Sequence, residues 1–143
     1  PHVVSEWMKA DEQTVLISVI GIDTNPDPEV KANWELPVLK EVVKSPDFWT
    51  DIFPPVGEIV KRGDARATML DSYPAILADA TVKTERLGNV LYLHTFYMLF
   101  LVENKAVNVQ FTIGSKDLRT TDLSTQKYRK LAYQVFNSIY VRK

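Results

Sequence analysis

The 143-residue chain has two histidines, the side chains best suited to proton transfer near neutral pH. His2 follows the first residue, whereas His94 lies inside an apolar run and shares a strand face with Phe96 and Met98. One interpretation makes His94 a base or ligand residue in a pocket, and the other makes it a packed residue with a hydrogen-bond partner. The second is favoured, because no acid or base is spaced along the sequence to pair with His94.

Two further groups could take part in chemistry, the amine of Pro1 and a set of acidic residues between 23 and 29. An N-terminal proline amine can serve as a base in tautomerases, but Pro1 is followed by a short segment and a polar break at residues 9–12 rather than by a continuous first strand. Asp23, Asp27 and Glu29 form a loose acidic group, yet their proline-rich spacing matches no calcium loop. A solvated loop is the favoured interpretation, and the sequence predicts neither a metal site nor a cofactor.

The composition argues against several classes of function. The chain has no cysteine, which excludes disulfides, thiolate metal sites and thiol nucleophiles. The five glycines form no phosphate-binding loop, and the common hydrolase and metalloprotease motifs are absent. Seventeen basic and eighteen acidic residues give a net charge of −1, which is not typical of a nucleic-acid-binding domain. We therefore predict a protein that is not an enzyme and does not bind nucleic acid.

Aromatic residues are the stronger indication of a binding site. Trp34, Phe48 and Trp49 crowd one helical segment, and tryptophan is common at the centre of protein interfaces. The alternative is that these rings only cover the sheet. Together with His94, these three residues are the candidate ligand- or partner-binding residues.

The elements that must position these residues follow from hydrophobic periodicity. Spacing of two predicts strands, and spacing of three and four predicts helices. The predicted strands are 13–23, 58–61, 65–70, 75–86, 90–102 and 106–113, and the predicted helices are 36–44 and 123–138, with Asp122 or Ser124 as the cap of the second. The order predicts one α+β domain over residues 1–143. Its architecture is a two-layer sandwich, an antiparallel twisted sheet of about five to six strands flanked by an early helix and a C-terminal helix.

The strand 90–102 is apolar on both faces. One face can pack against a helix, and the second must be hidden by the segment 29–53, by a ligand or by another subunit. Leaving five large apolar side chains in water would cost on the order of 7–15 kcal/mol. This pattern indicates a homodimer or a protein partner bound through an apolar sheet or helix face. No run of residues is long and apolar enough to predict a transmembrane segment.

Several short segments resemble the PsbP-like superfamily, which includes PsbP and the DcrB-like lipoproteins. They are an early apolar strand followed by a helix, the residues Gly63 to Arg66 with Tyr73 to Ala75, the long hairpin 90–113, and the ending Phe136 to Ile139. Where a glycine often precedes the tyrosine in that family, this chain has Asp71 and Ser72. The resemblance implies a non-catalytic role in adaptor function, assembly or ligand binding, and it supplies no catalytic residues.

The function expected from the sequence is therefore a non-catalytic binding or accessory domain of PsbP-like type. Such a domain would suit the soluble part of a bacterial envelope protein or lipoprotein, and the absence of an initiator methionine before Pro1 favours a periplasmic or secreted protein after removal of an export signal. One alternative is an immunity or inhibitor protein that caps a protein partner. Another is a small-molecule pocket enzyme of the cone-shaped α+β kind, with His94 as its base.

Overall fold

A computed structural model describes residues 2–10, 15–53 and 57–137. Its elements, in chain order, are β1 (His2–Ala10), β2 (Val15–Asp23), α1 (Pro28–Ala32), α2 (Leu36–Val42), α3 (Phe48–Asp51), β3 (Glu58–Leu70), β4 (Tyr73–Arg86), β5 (Asn89–Val102), β6 (Lys105–Ser115) and α4 (Leu118–Asn137). The strands form one sheet in the order β1-β2-β6-β5-β4-β3, and every neighbouring pair is antiparallel. The predicted α+β class, with an early helix and a C-terminal helix on an antiparallel sheet, is confirmed.

Tight turns join the central strands. Leu87 and Gly88 between β4 and β5, and Glu103 and Asn104 between β5 and β6, all have positive φ. Two consecutive residues of this kind are typical of type I′ turns, whose twist matches that of the flanking strands. Each turn is one residue shorter than the turns at 87–89 and 103–105 that the predicted strand bounds leave.

Leu87 is a poor residue for its turn. It is fully exposed and has φ of 51°, where a leucine side chain is strained. We expect Leu87→Asn to raise the free energy of unfolding by about 0.5–1 kcal/mol, because asparagine tolerates this conformation. Urea denaturation would measure the change. Leu123→Asn, which replaces another exposed leucine but within a helix, should not stabilise the protein.

The strand β3 differs from the prediction. The sequence suggests two short strands around a turn at residues 62–64, whereas the structure has one strand with irregular pairing between Ile59 and Lys61 and between Arg62 and Ala65. These irregularities accommodate extra residues opposite β4 without breaking the strand. The strand β1 was not predicted at all; it pairs along β2.

Helices cover both faces of the sheet, so the protein has three layers and not the two of the predicted sandwich. On one face, α4 packs over a core that contains Phe96, Met98, Phe100, Phe111 and Phe136. On the other face, the segment with α1, α2 and α3 packs over Ile76, Ala78, Ala80 and Tyr97. Because the connection from β2 enters the sheet at its far edge, β3, this segment has to cross that face. The segment 29–53, one of three covers considered for the second face, therefore covers the sheet at Tyr97.

The helix α4 begins five residues before the predicted start. Oδ2 of Asp117 accepts hydrogen bonds from the backbone nitrogen and the hydroxyl of Thr120, at 3.0 and 2.9 Å. These bonds lower the pKa of Asp117 below its ordinary value. The prediction of Asp122 or Ser124 as the cap was therefore wrong. Ala132 and Phe136 of this helix are buried against the sheet, whereas Leu131 is 38% exposed. Across the described residues, no helix combines the length and the apolar composition needed to cross a membrane.

Candidate functional site

His94 lies at the centre of a buried hydrogen-bond network. Its Nδ1 is 2.7 Å from Oγ1 of Thr81, and its Nε2 is 2.6 Å from Oδ2 of Asp79. The three residues are 5%, 0% and 2% exposed, respectively. They lie on the sheet face that α4 covers, where the pairing of β4 with β5 sets Thr81 opposite His94.

Asp79 is stabilised as a carboxylate by three neighbours. Burial by itself raises the pKa of Asp79. Hydrogen bonds from His94 and from the backbone of Asp64, together with the nearby charge of Arg129, outweigh this effect and hold the pKa below its ordinary value. The N–H of Asp64 donates to Oδ1 at 3.0 Å, and Nη2 of Arg129 lies 3.6 Å from Oδ2. A carboxylate only accepts hydrogen bonds, so the N–H is at Nε2 of His94 and donates a hydrogen bond to Oδ2 of Asp79.

The irregularity in β3 makes room for this carboxylate. A Cβ atom at Gly63 would collide with the Asp79 carboxylate and would lie 2.7 Å from the Asp79 carbonyl oxygen. Only glycine therefore fits at this point of the strand without a shift. The same bend turns the N–H of the next residue, Asp64, toward Asp79.

The order of acid, imidazole and hydroxyl is the one found in serine hydrolases, but the geometry here favours a structural role. Both ring nitrogens of His94 are occupied by protein partners, and the hydroxyl of Thr81 is fully buried. In serine hydrolases the imidazole also contacts both the acid and the hydroxyl, so the accessibility of the hydroxyl distinguishes the two cases. A hydroxyl that attacks a substrate has to be accessible to it, and Thr81 is 0% exposed.

A small cavity opens beside the network. Its volume is about 130 Å³, and charged residues line most of it, among them Lys61, Arg62, Asp122 and Arg129. Small-molecule sites usually measure about 300–1,000 Å³ and are mostly apolar. A small-molecule pocket enzyme with His94 as its base would need a deep apolar cavity at that residue, and this cavity is small and mostly charged. Within residues 2–10, 15–53 and 57–137, no group of three acidic or histidine side chains is placed to hold a metal ion.

Sequence reasoning missed Asp79 and Thr81 as partners of His94. Their alternation with Ile76, Ala78 and Ala80 suggested a polar, outward face, but α4 buries that face. The predicted strands 75–86 and 90–102 leave a three-residue turn at 87–89, which does not give the observed register. The observed turn has two residues, Leu87 and Gly88, and the register that it fixes sets Thr81 opposite His94.

The aromatic residues of the early helices form a cluster on the opposite face. The rings of Phe48 and Trp49 meet edge to face at 5.1 Å, Trp49 and Phe53 are 5.3 Å apart, and Phe53 lies 6.0 Å from Tyr97. Phe48 and Phe53 are buried, and the guanidinium group of Arg62 lies 5.8 Å from the Trp49 ring. These contacts show that Phe48 and Trp49 pack over the sheet.

Trp34 lines a separate apolar groove between the early helices and the sheet. Its Nε1 donates to the carbonyl oxygen of Pro74 at 2.8 Å, which fixes the indole against β4. The groove has a volume of about 290 Å³. The residues that line it are Glu29, Val30, Asn33, Trp34, Val38, Leu39, Val42, Ile52 and Ile76. We call it the α1–α2 groove.

The four residues singled out from the sequence therefore do not form one site. Trp34 lies in the α1–α2 groove, Phe48 and Trp49 lie in the adjoining aromatic cluster, and His94 lies on the other face of the sheet. The groove residues Val30 and Val38 were not singled out as binding residues. Their partial exposure depends on how α1 and α2 pack together, which the helical period alone does not specify.

Comparisons with known proteins find a similar fold, but they assign no function to this chain. No protein-family model matches the chain, and no curated protein matches it. The structure of PA94 from Pseudomonas aeruginosa, a protein of unknown function suggested to be a regulator, aligns with a TM-score of 0.61 at 12% identity, over 97% of this chain and 83% of that one. LpqN of Mycobacterium tuberculosis, which is involved in cell envelope biogenesis, aligns with a TM-score of 0.38 at 13% identity, over 78% of this chain and 56% of that one. The likeness to PA94 shows a shared fold, and the resemblance to the PsbP-like superfamily is not confirmed.

Proposed function

We propose that this chain is a non-catalytic binding domain that holds an apolar segment of a protein partner in the α1–α2 groove. The observation that carries the proposal is an apolar concavity with exposed walls. Val30 is 42% and Val38 is 37% exposed, while Trp34 and the buried Leu39 line the groove between them. Apolar side chains grouped around a concavity are typical of surfaces that receive a partner.

The charge at the edge of the groove suggests the chemistry of the partner. Glu29 lines the groove and is exposed, and no ion pair of its carboxylate occurs within the described residues. A basic residue next to the apolar anchor of the partner would complement this carboxylate. We therefore expect a segment with one or two large apolar side chains beside a lysine or arginine.

Selection of binders from a displayed peptide library would test the proposal. We expect enriched peptides to combine a large apolar residue with a basic neighbour. Val30→Glu and Val38→Glu should weaken their binding at least tenfold, because each places a charge in an apolar groove. Val60→Glu is the matched control, since Val60 is 43% exposed but lies on β3 outside the groove. Thermal unfolding of all three variants would establish that they fold.

Two results would contradict the proposal. One is a set of enriched peptides that bind the Val30→Glu and Val60→Glu variants equally well. The other is a dimer in light scattering that Val30→Glu splits into monomers, which would assign the groove to a second copy of the chain. Glu29→Lys tests the charge separately and should shift the preference from basic toward acidic neighbours.

We also propose that the chain is related to the PsbP-like superfamily and that it lies in the bacterial envelope. The kinship is supported by the order of two early strands, three short helices, an antiparallel meander and a closing helix, which is similar to the order on which the resemblance is based. The location in the envelope is inferred from that kinship. Fractionation of cells that express the full-length protein would test the location. Recovery in the cytosolic fraction would contradict it and would leave the binding proposal unaffected.

A further inference from the structure

The outer face of α4 is both basic and partly apolar. The helix has twenty residues, and its inner side buries Thr121, Thr125, Ala132 and Phe136. At 100° per residue, the opposite side carries Arg119, Leu123, Lys127, Lys130 and Leu131. Leu123 is 58% and Leu131 is 38% exposed. We call these five residues the outer face of α4.

The charges on this face are all positive, in a chain with a formal net charge of −1. The helix contains one acidic residue, Asp122, which lines the small cavity beside Asp79 instead of the outer face. Arg129 also points inward, with Nη2 3.6 Å from Asp79. Asp117, just before the helix, accepts hydrogen bonds from Thr120 and lies close enough to Arg119 for their charges to interact. Lys127 and Lys130 form no ion pair within the described residues, so they carry the positive charge of the outer face.

We propose that the outer face of α4 docks on an anionic membrane surface. Leucines among lysines and arginines on one exposed helix face suit the boundary between headgroups and acyl chains, where basic side chains meet lipid phosphates and apolar ones enter the bilayer. A nucleic acid would pair its phosphates with the basic side chains, but it would offer no apolar surface for Leu123. The sheet beneath α4 holds the helix along its length, so the face lies parallel to the surface that it contacts.

Docking in this orientation leaves the α1–α2 groove accessible. The two helical layers lie on opposite faces of the sheet, so a membrane in contact with α4 is separated from the groove by the sheet. Membrane binding and partner binding are therefore separate properties, and variants of one surface should not affect the other.

Co-sedimentation with vesicles tests this inference. We expect the protein to bind vesicles that contain phosphatidylglycerol, not to bind vesicles of phosphatidylcholine alone, and to dissociate as salt is added. Because each basic residue near an anionic surface strengthens binding about fivefold, Lys127→Gln with Lys130→Gln should weaken binding about 25-fold. Leu123→Gln should weaken it as well, which separates insertion from simple charge attraction.

The matched control removes the same charge elsewhere. Lys40→Gln with Lys105→Gln alters two exposed lysines, one on α2 and one at the start of β6, and should leave vesicle binding nearly unchanged. Equal loss in this control would overturn the proposal. So would binding that does not depend on Leu123, or binding to polyglutamate or duplex DNA as tight as binding to the vesicles, since either result would assign the face to a soluble polyanion.

Discussion

Replacing Phe48 by alanine should lower the free energy of unfolding by about 3–5 kcal/mol, because truncating a buried phenylalanine removes its contacts and leaves a cavity. Phe48 is 1% exposed, and its ring meets Trp49 edge to face at 5.1 Å over the second face of the sheet. Urea denaturation followed by tryptophan fluorescence would measure the loss. A loss of this size would identify Phe48 as a core residue instead of a contact for a partner.

Val38→Ala is the control for this prediction. Val38 belongs to the adjacent helix α2 but is 37% exposed, so its truncation should cost less than about 1 kcal/mol. A similar loss for both variants would mean that Phe48 contributes no more to the core than an exposed groove residue. A loss below about 1 kcal/mol for Phe48→Ala would return Phe48 to the set of candidate binding residues.

The second large effect is expected for Asp79→Ala, at about 3 kcal/mol. The substitution leaves His94 Nε2 and the backbone N–H of Asp64 without their acceptor in a buried site, and it removes the negative charge beside Arg129. Asp64→Ala is a suitable control, because the bond to Asp79 uses the Asp64 backbone and not its side chain. A loss below about 1 kcal/mol for Asp79→Ala would contradict the stabilising role of the network.

The contribution of Asp79 should also depend on pH with a defined sign. The pKa of Asp79 is lower in the folded protein than its ordinary value of 3.8, so the folded state binds the proton less readily than the unfolded state. The stabilisation is fully present above pH 3.8 and is lost as the pH falls through the lower, folded-state pKa. The difference in unfolding free energy between the parent protein and Asp79→Asn should therefore narrow in acid. A difference that widens below pH 3.8 would show that the sign is wrong.

The strands β5 and β6 and the helix α4 could be predicted because their periodicity is strong and local. Val109, Phe111 and Ile113 alternate with polar residues, and all three are buried. The strand β1 could not be predicted in this way: it is a short segment followed by a polar break, and it is defined by its pairing along β2. The edge strand β3 was divided in two because Gly63 is typical of a turn, whereas here it gives the Asp79 carboxylate room.

The candidate site was harder to predict than the fold. Trp34, Phe48 and Trp49 were correctly grouped on one segment, but their division between groove and core depends on how three short helices pack. His94 was recognised from its residue type, and its partner Asp79 was missed because an aspartate in an alternating strand usually faces water. The helix α4, which lies over β5 and β6 and reaches Asp79 through Arg129, reverses that expectation, and its position on the sheet is a long-range property.

The strand β5 contributes alternate residues to two different cores. Phe96 packs beneath α4, and its neighbour Tyr97 packs beneath the early helices. A slip of one residue against β4 would exchange these two sets, and His94 would move away from Thr81 and Asp79 into the apolar layer on the other side. A misaligned hairpin thus loses the packing of both layers and the polar network together. The two-residue turn at Leu87 and Gly88, which sets this register, therefore maintains both layers at once.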